Sequence, residues 1–173
     1  HGLVLQIIEY PVPVLVAVQG QCLGGGLEIA AAGDLMFAAP DAKLGQPEIK
    51  LGVIAPAASC LLPEKIGQAR ALDLLLSGRS MTGREAAGAG LVTAVSDVPS
   101  ETAVDYFDKH FAPLSAAALR IAVVAGRAGF VERVRGKIAL VEKLYLEDLM
   151  ATRDAVEGLT AFVEKRVPCW ENR

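Results

Sequence analysis

Two glutamates and a run of three glycines are the residues of this chain whose types and spacing could do chemistry. Gly24, Gly25 and Gly26 stand between a short apolar run and a second apolar stretch, and Glu28 lies just beyond them. A glycine costs roughly 0.5–1 kcal/mol relative to alanine in regular structure, so three in a row ask for a physical reason. A tight turn where backbones cross closely is one. The other is functional: a glycine amide at a helix N-terminus can face an anionic oxygen, with the helix dipole behind it. Such an oxyanion hole suits the enolate oxygen formed when a nucleophile adds at the β-carbon of a thioester. Glu28 then reads either as a helix-dipole partner or as a proton handler. Glu48, in Gly45-Gln46-Pro47-Glu48-Ile49, reads either as a solvated loop carboxylate or as a second proton handler. Both have apolar neighbours (Leu27 and Ile29; Ile49 and Leu51), and burial favours the protonated form of a carboxyl. Hydration needs one group to polarise water and one to protonate the α-carbon, and two carboxyls in unlike environments can divide those jobs.

Periodicity and punctuation outline the elements that hold these residues. Residues 2–10 read as a helix; Glu9 interrupts its apolar run and no basic stretch precedes it, a poor fit to a signal peptide. Residues 14–18, reached through Pro11 and Pro13, are β-branched and apolar, as in a buried strand. After the glycines, 27–32 reads as a short helix ended by Gly33, 34–38 as a second strand, Pro40-Asp41-Ala42 as a turn and 43–49 as an irregular connection. The stretch 57–66 reads as a helix broken in two by Pro63. A firmer helix over 69–76 closes at Ser77-Gly78. Thr82 with Glu85 is a capping-box signature for a helix over 83–89, ended by Gly90, and 91–95 reads as a last strand. Beyond Ser100 only helices are expected, over 100–110, 114–127, 130–150 and 152–166, with Val134, Ile138, Val141, Tyr145 and Leu149 forming one stripe. The expected organisation is an α/β portion over 1–98, carrying the glycine turn, followed by a helical region over 99–173.

Composition narrows the function classes. The 173 residues are 53% hydrophobic with a net charge of −3, enough for one domain with a sizeable core. The apolar surplus is largely Ala, Val and Leu, which points to large helix–helix or subunit contacts. No run approaches the roughly 20 apolar residues of a membrane span. A mildly acidic balance gives no reason to expect nucleic acid as a partner. Cys22, Cys60 and Cys169 form no CxxC pair, and with only two histidines beside them no metal site assembles by recognised spacing. An unpaired set of this kind reads as reduced thiols in a cytoplasmic protein.

Cys22-Leu23-Gly24-Gly25-Gly26-Leu27-Glu28, followed at the right separation by Gly45-Gln46-Pro47-Glu48-Ile49, closely resembles the crotonase (enoyl-CoA hydratase/isomerase) superfamily. Two further blocks agree: 82–95, like the family's T-x-x-E-A-x-x-x-G-L-V segment, and Glu157-Gly158 with Ala161-Phe162-Val163-Glu164-Lys165-Arg166 near the end. The resemblance implies an α/β crotonase (ClpP/crotonase-like) fold: a ββα superhelical core, then a helical C-terminal region used to build trimers or dimers of trimers. It implies that Gly25 supplies one oxyanion N–H beside Gly24, that Glu28 holds and activates water, and that Glu48 delivers the proton to Cα. Phe162 and Lys165 match C-terminal helix positions that touch the coenzyme A of a neighbouring subunit; their other reading is helix packing and a solvated lysine. The implied substrate is an acyl-CoA thioester, with coenzyme A arriving as part of it and no metal or redox cofactor. Complete members are longer at the N-terminus, and the second oxyanion amide and most of the nucleotide pocket come from that part.

One segment departs from the common pattern. Where ordinary hydratases run through glycines into Thr-Gln-Arg, this chain has Ile54-Ala55-Pro56-Ala57-Ala58-Ser59, and Pro56, at a glycine position, has no N–H to donate. Pro56 and Ala57 read either as helix-start chemistry or as a reshaped acyl pocket. The segment looks like that of cyclohexa-1,5-diene-1-carbonyl-CoA hydratases of anaerobic benzoyl-CoA breakdown, which implies hydration of a conjugated dienoyl thioester. Straight-chain enoyl-CoA hydration and double-bond isomerisation are the rival activities. RNA binding would want a basic stripe, and the basic residues between 127 and 143 are offset by Glu132 and Glu142. An assembly-only subunit is the remaining alternative.

Overall fold

The computed structural model describes residues 1–173. The first helix, α1 (Gly2–Glu9), leads through Pro11 and Pro13 into β1 (Leu15–Val18). A short strand β2 (Gln21–Leu23) then runs into α2 (Gly25–Ala32) and β3 (Leu35–Ala38). β4 (Lys43–Gly45) is followed by the 3-10 helix Pro47–Leu51, then α3 (Pro56–Ile66) and α4 (Gln68–Ser77). β5 (Ser80–Thr82), α5 (Gly83–Ala89) and the two-residue β6 (Ala94–Val95) complete the mixed part. The rest is helical: α6 (Pro99–His110), α7 (Ala116–Lys143), a π-helical turn Leu144–Leu149 and α8 (Arg153–Glu164).

Two small sheets organise the first half. β1, β3 and β6 form a parallel sheet in the order β1-β3-β6. β2 and β4 pair in parallel, and β5 adds to β4 antiparallel. The β2–β4 register sets Cys22 opposite Leu44 and Leu23 opposite Gly45. The glycines after β2 and the Gln46–Glu48 segment after β4 therefore leave the sheet side by side at the same end.

The structure departs from the sequence expectations in several places. Residues 21–23, for which the sequence pattern predicts no element, and 43–45, expected as part of an irregular connection, are strands β2 and β4; at three residues each they are too short for alternation to register. β5 was not expected either, and the strand expected over 91–95 contracts to β6. α3 is one helix rather than two pieces. Pro63 cannot donate to the Ser59 carbonyl one turn back, and Lys137 Nζ of α7 donates to that carbonyl instead, at 2.8 Å. The expected helices over 114–127 and 130–150 are one continuous α7, in which Gly126 and Gly129 make no break, followed by the π turn. α7 is anchored through Arg127: its guanidinium forks onto the Asp34 carboxylate and donates to the carbonyls of Ile7, Ile8, Tyr10 and Val12. The capping box at α5 forms as expected, with Thr82 and Glu85 bonding each other's backbone N–H.

The core lies between α2, α3 and the sheets. Leu27, Leu44, Ala57, Ala58, Leu61 and Leu62 have no exposed surface. The alanines let α2 and α3 approach closely. From the other side α7 lays Val134, Ile138 and Val141 onto the same cluster.

Candidate active site

Gly24 sits where the two chain segments leaving the β2–β4 pair meet. Its backbone is in the left-handed region, φ +57°, which a side chain resists. A Cβ there would stand 2.5 Å from Glu48 Oε1, so only glycine lets the Glu48 carboxylate close over the turn. The Gly24 N–H donates to the Gly45 carbonyl at 3.0 Å, locking the turn to β4. The Gly24 carbonyl accepts from Glu28 N at 3.0 Å, opening α2, and from Gln46 Nε2 at 3.2 Å. Gly25 and Gly26, the first two residues of α2, are exposed. Their amides belong to the first turn, where helix geometry provides no intrahelical acceptor. The dipole of α2 and two free N–H groups thus face outward at this point. An apolar cavity of about 370 Å³, lined by Val16, Val18, Cys22, Ile29 and others, reaches this turn at Gly26.

Glu28 and Glu48 approach the turn from different elements and in different states. Glu28 projects from the first turn of α2, and its Oε1 accepts a hydrogen bond from Ala58 N at 2.9 Å. Ala58 is the third residue of α3, so Glu28 caps the start of a helix other than its own. Pro56 occupies the first position of α3, where no N–H is needed, and is half-buried; Ala57 behind it is fully buried. Glu48 lies second in the 3-10 helix that Pro47 starts, half-buried, with Oε2 enclosed and without a hydrogen-bond partner. Burial raises its carboxyl above the ordinary glutamate value, and the nearby charge of Glu28 pushes the same way, against a lowering hydrogen bond from its own backbone. One carboxylate is held by an amide donor; the other is set to keep its proton longer.

The structure brings Gly24, Gly25, Glu28, Glu48, Pro56 and Ala57 into one neighbourhood. Phe162 and Lys165 stand elsewhere: Phe162 is 64% exposed on α8, and Lys165 is its exposed left-handed cap. α8 nevertheless backs the site, packing against the 3-10 helix that carries Glu48, with Gly158 against the Leu51 carbonyl. Sequence reasoning passed over two participants. The Ala58 amide is invisible in a side-chain inventory. Gln46, 1% exposed with Oε1 buried and unpartnered, stood in the quoted motif without a role of its own; nothing local marks it as buried, with the charged Lys43, Glu48 and Lys50 close by in sequence. Cys60 is no rival nucleophile, since burial pushes its thiol up to about 11. No helix of the chain is long and apolar enough to cross a membrane.

Comparison with known proteins identifies the family. The sequence pattern of the enoyl-CoA hydratase/isomerase family matches residues 1–173. The chain is 61% identical over 173 residues to cyclohexa-1,5-dienecarbonyl-CoA hydratase of Thauera aromatica, covering all of this chain and 67% of that protein. It is 41% identical over 165 residues to a probable enoyl-CoA hydratase of Mycobacterium tuberculosis, covering 93% of this chain and 63% of the relative. Among solved structures, an enoyl-CoA hydratase from Mycobacterium avium subsp. paratuberculosis superposes with a TM-score of 0.86 at 29% identity, over 98% of this chain and 69% of that one. An enoyl-CoA hydratase/isomerase from Pseudoalteromonas atlantica gives the same TM-score, 0.86, at 32% identity, over 96% of this chain and 67% of the other. The chain thus spans about two thirds of the length of such relatives. The match over all of its residues, with the likeness in sequence and fold to these relatives, makes this chain a member of the enoyl-CoA hydratase/isomerase family.

Proposed function

We propose that the chain carries the active-site portion of a hydratase that adds water across the α,β double bond of an acyl-CoA thioester. The observation that carries the reading is the pair of unlike carboxyls at one glycine turn: Glu28, hydrogen-bonded by Ala58 N, and Glu48, pressed over Gly24 and biased toward its protonated form. In this mechanism Glu28 takes a proton from water as the water oxygen bonds to the β-carbon. The π electrons pass to the thioester oxygen, and the resulting enolate accepts the Gly25 N–H. Glu48 then gives its proton to the α-carbon, and the electron pair returns to rebuild the carbonyl. Pro56 withholds an amide donor at the start of α3, so the contact to water or substrate made there differs from that of a family member with glycine at this position.

A conjugated cyclic dienoyl-CoA is the favoured substrate, supported by the Ala55-Pro56-Ala57-Ala58 segment and by the 61% identity to a hydratase of that kind. Coenzyme A enters as part of the substrate and no other cofactor is required. Phe162 and Lys165 would meet the coenzyme A of a neighbouring protomer in a trimer or dimer of trimers, a setting that the exposed Leu140, Leu146, Phe162 and Val163 favour. The three free thiols suit a cytoplasmic setting. Turnover of cyclohexa-1,5-diene-1-carbonyl-CoA beside crotonyl-CoA, followed by the mass gain of one water, tests the reading. Preference for the cyclic diene supports the full proposal, and preference for crotonyl-CoA leaves only the general hydratase. Loss of both activities, with migration of the double bond, would replace hydration by isomerisation.

A further inference from the structure

We infer that Gln46 is a positioning residue for the oxyanion-binding peptide, acting through the Gly24 carbonyl; this rests on the thioester-hydratase reading above. The Gly24 carbonyl and the Gly25 N–H belong to one planar peptide group, so whatever fixes the first aims the second. Two donors fix it. Glu28 N supplies the bond that any helix start would have, at 3.0 Å. Gln46 Nε2 supplies the other at 3.2 Å, and it comes from outside the helix, at the end of β4. With the carbonyl held from two sides, the N–H of the same peptide is directed outward before any substrate arrives, which is the preorganisation an oxyanion donor needs. A hydrogen bond onto the carbonyl also polarises the peptide and strengthens its N–H as a donor.

The surroundings of Gln46 argue that this bond is the reason for its presence. It is 1% exposed, and its Oε1 is buried with no partner. A methionine or leucine of similar volume would fill the space without an orphaned acceptor, so packing alone does not call for an amide here. Gly24 receives restraints on every side: the Gly45 carbonyl on its N–H, Gln46 and Glu28 on its carbonyl, and the Glu48 carboxylate over the face where a side chain would stand. Glu48 follows Gln46 closely, so one short segment sets both the proton donor and the oxyanion peptide.

The test uses the full-length protein with Gln46→Met, which keeps volume and removes the donor, and Gln46→Glu, which keeps shape and puts an oxygen where the donor was. The primary readout is the carbonyl stretching frequency of bound butyryl-CoA carrying ¹³C at the thioester carbon, a ligand that cannot be hydrated. In the wild type this frequency lies below that of the free thioester; in both variants it moves back toward the free value. With crotonyl-CoA, kcat falls about 10- to 100-fold, less than outright loss of an oxyanion donor, while KM stays within about threefold. A wild-type frequency shift retained in full by whichever variant folds, with unchanged kcat, overturns the assignment and leaves the hydratase standing. Absence of any shift in the wild type overturns the oxyanion reading together with this one.

Discussion

The turn region and the C-terminal helices solve opposite problems. Around Gly24 nearly every polar group is directed: Gly24 N–H to Gly45, its carbonyl to Gln46 and Glu28, the Glu28 carboxylate to Ala58 N. The alanines and leucines behind, such as Ala57, Ala58, Leu61 and Leu62, are wholly enclosed. In α7, by contrast, only Arg127, Val134, Ile138 and Val141 of 28 residues are buried. Ile121 is 72% exposed, Leu140 58% and, on α8, Val163 79%. The first region fixes its backbone within the chain and leaves a few polar groups free at the turn, Glu48 Oε2 and the Gly25 N–H among them; the second presents apolar side chains for which the chain has no partner. Geometry that must be held to fractions of an ångström sits where the packing is closed, and the open faces are the ones that the proposed assembly would cover.

The sharpest separation of the two regions comes from the glutamates. Glu28→Gln and Glu48→Gln are each expected to lower kcat by about 10²- to 10⁴-fold, as loss of a general acid or base does. Their circular dichroism and assembly should match the wild type, and near-wild-type turnover in either variant would remove that residue from the mechanism. The next effect tests the ion pair that ties α7 to the first half of the chain. Arg127→Met leaves Asp34 without its partner and frees the Ile7, Ile8, Tyr10 and Val12 carbonyls. Breaking a fully buried ion pair from one side costs about 3–5 kcal/mol; this pair is only part-buried, so the urea midpoint should drop by less than that implies, with turnover per folded molecule changing far less.

A smaller effect is specific to the turn. Glu48 binds its proton more tightly when folded than the ordinary glutamate value of 4.5, because burial disfavours its charge. The folded state therefore holds more protons than the unfolded state between the two values. That contribution to stability is fully present below the unfolded value and lost as pH rises through the folded one. The stability difference between Glu48→Gln and the wild type should accordingly shift in favour of the variant across that window, measured by urea unfolding at stepped pH. A constant difference would contradict the burial of this carboxyl. The smallest effect belongs to the open faces: Phe162→Ser should change unfolding free energy by no more than about 0.5 kcal/mol. It should weaken self-association in light scattering, and equal association would show that α8 is not an assembly face.

Legibility differed between the same two regions. The glycine turn, the strands β1 and β3, the capping box of α5 and the existence of the C-terminal helices could be read from local chemistry, because apolar runs, glycine punctuation and Thr82–Glu85 act over a few residues. The strands β2, β4 and β5 could not, since three-residue strands gain their stability from partners distant in sequence. Pro63 was read as a break because proline removes a helical bond, and nothing local discloses that Lys137, 74 positions on, would fill the vacated carbonyl. The helices expected over 114–127 and 130–150 are one, and the partners that Arg127 finds at their junction lie far off in sequence, in residues 7–12 and 34.

The sequence by itself determined which groups are present and what they could do: two carboxyls, a glycine run able to adopt a left-handed turn and expose amides, and a proline without a donor at 56. The tertiary structure alone decided how those groups differ from one another. The parallel register of Leu23 with Gly45 puts Glu48 over Gly24 and Gln46 onto its carbonyl; the packing of α2 against α3 gives Glu28, and not Glu48, the Ala58 amide. Residue type fixes a group's chemistry, but its protonation, orientation and partners depend on burial and through-space contacts, which are set only when distant segments close on one another.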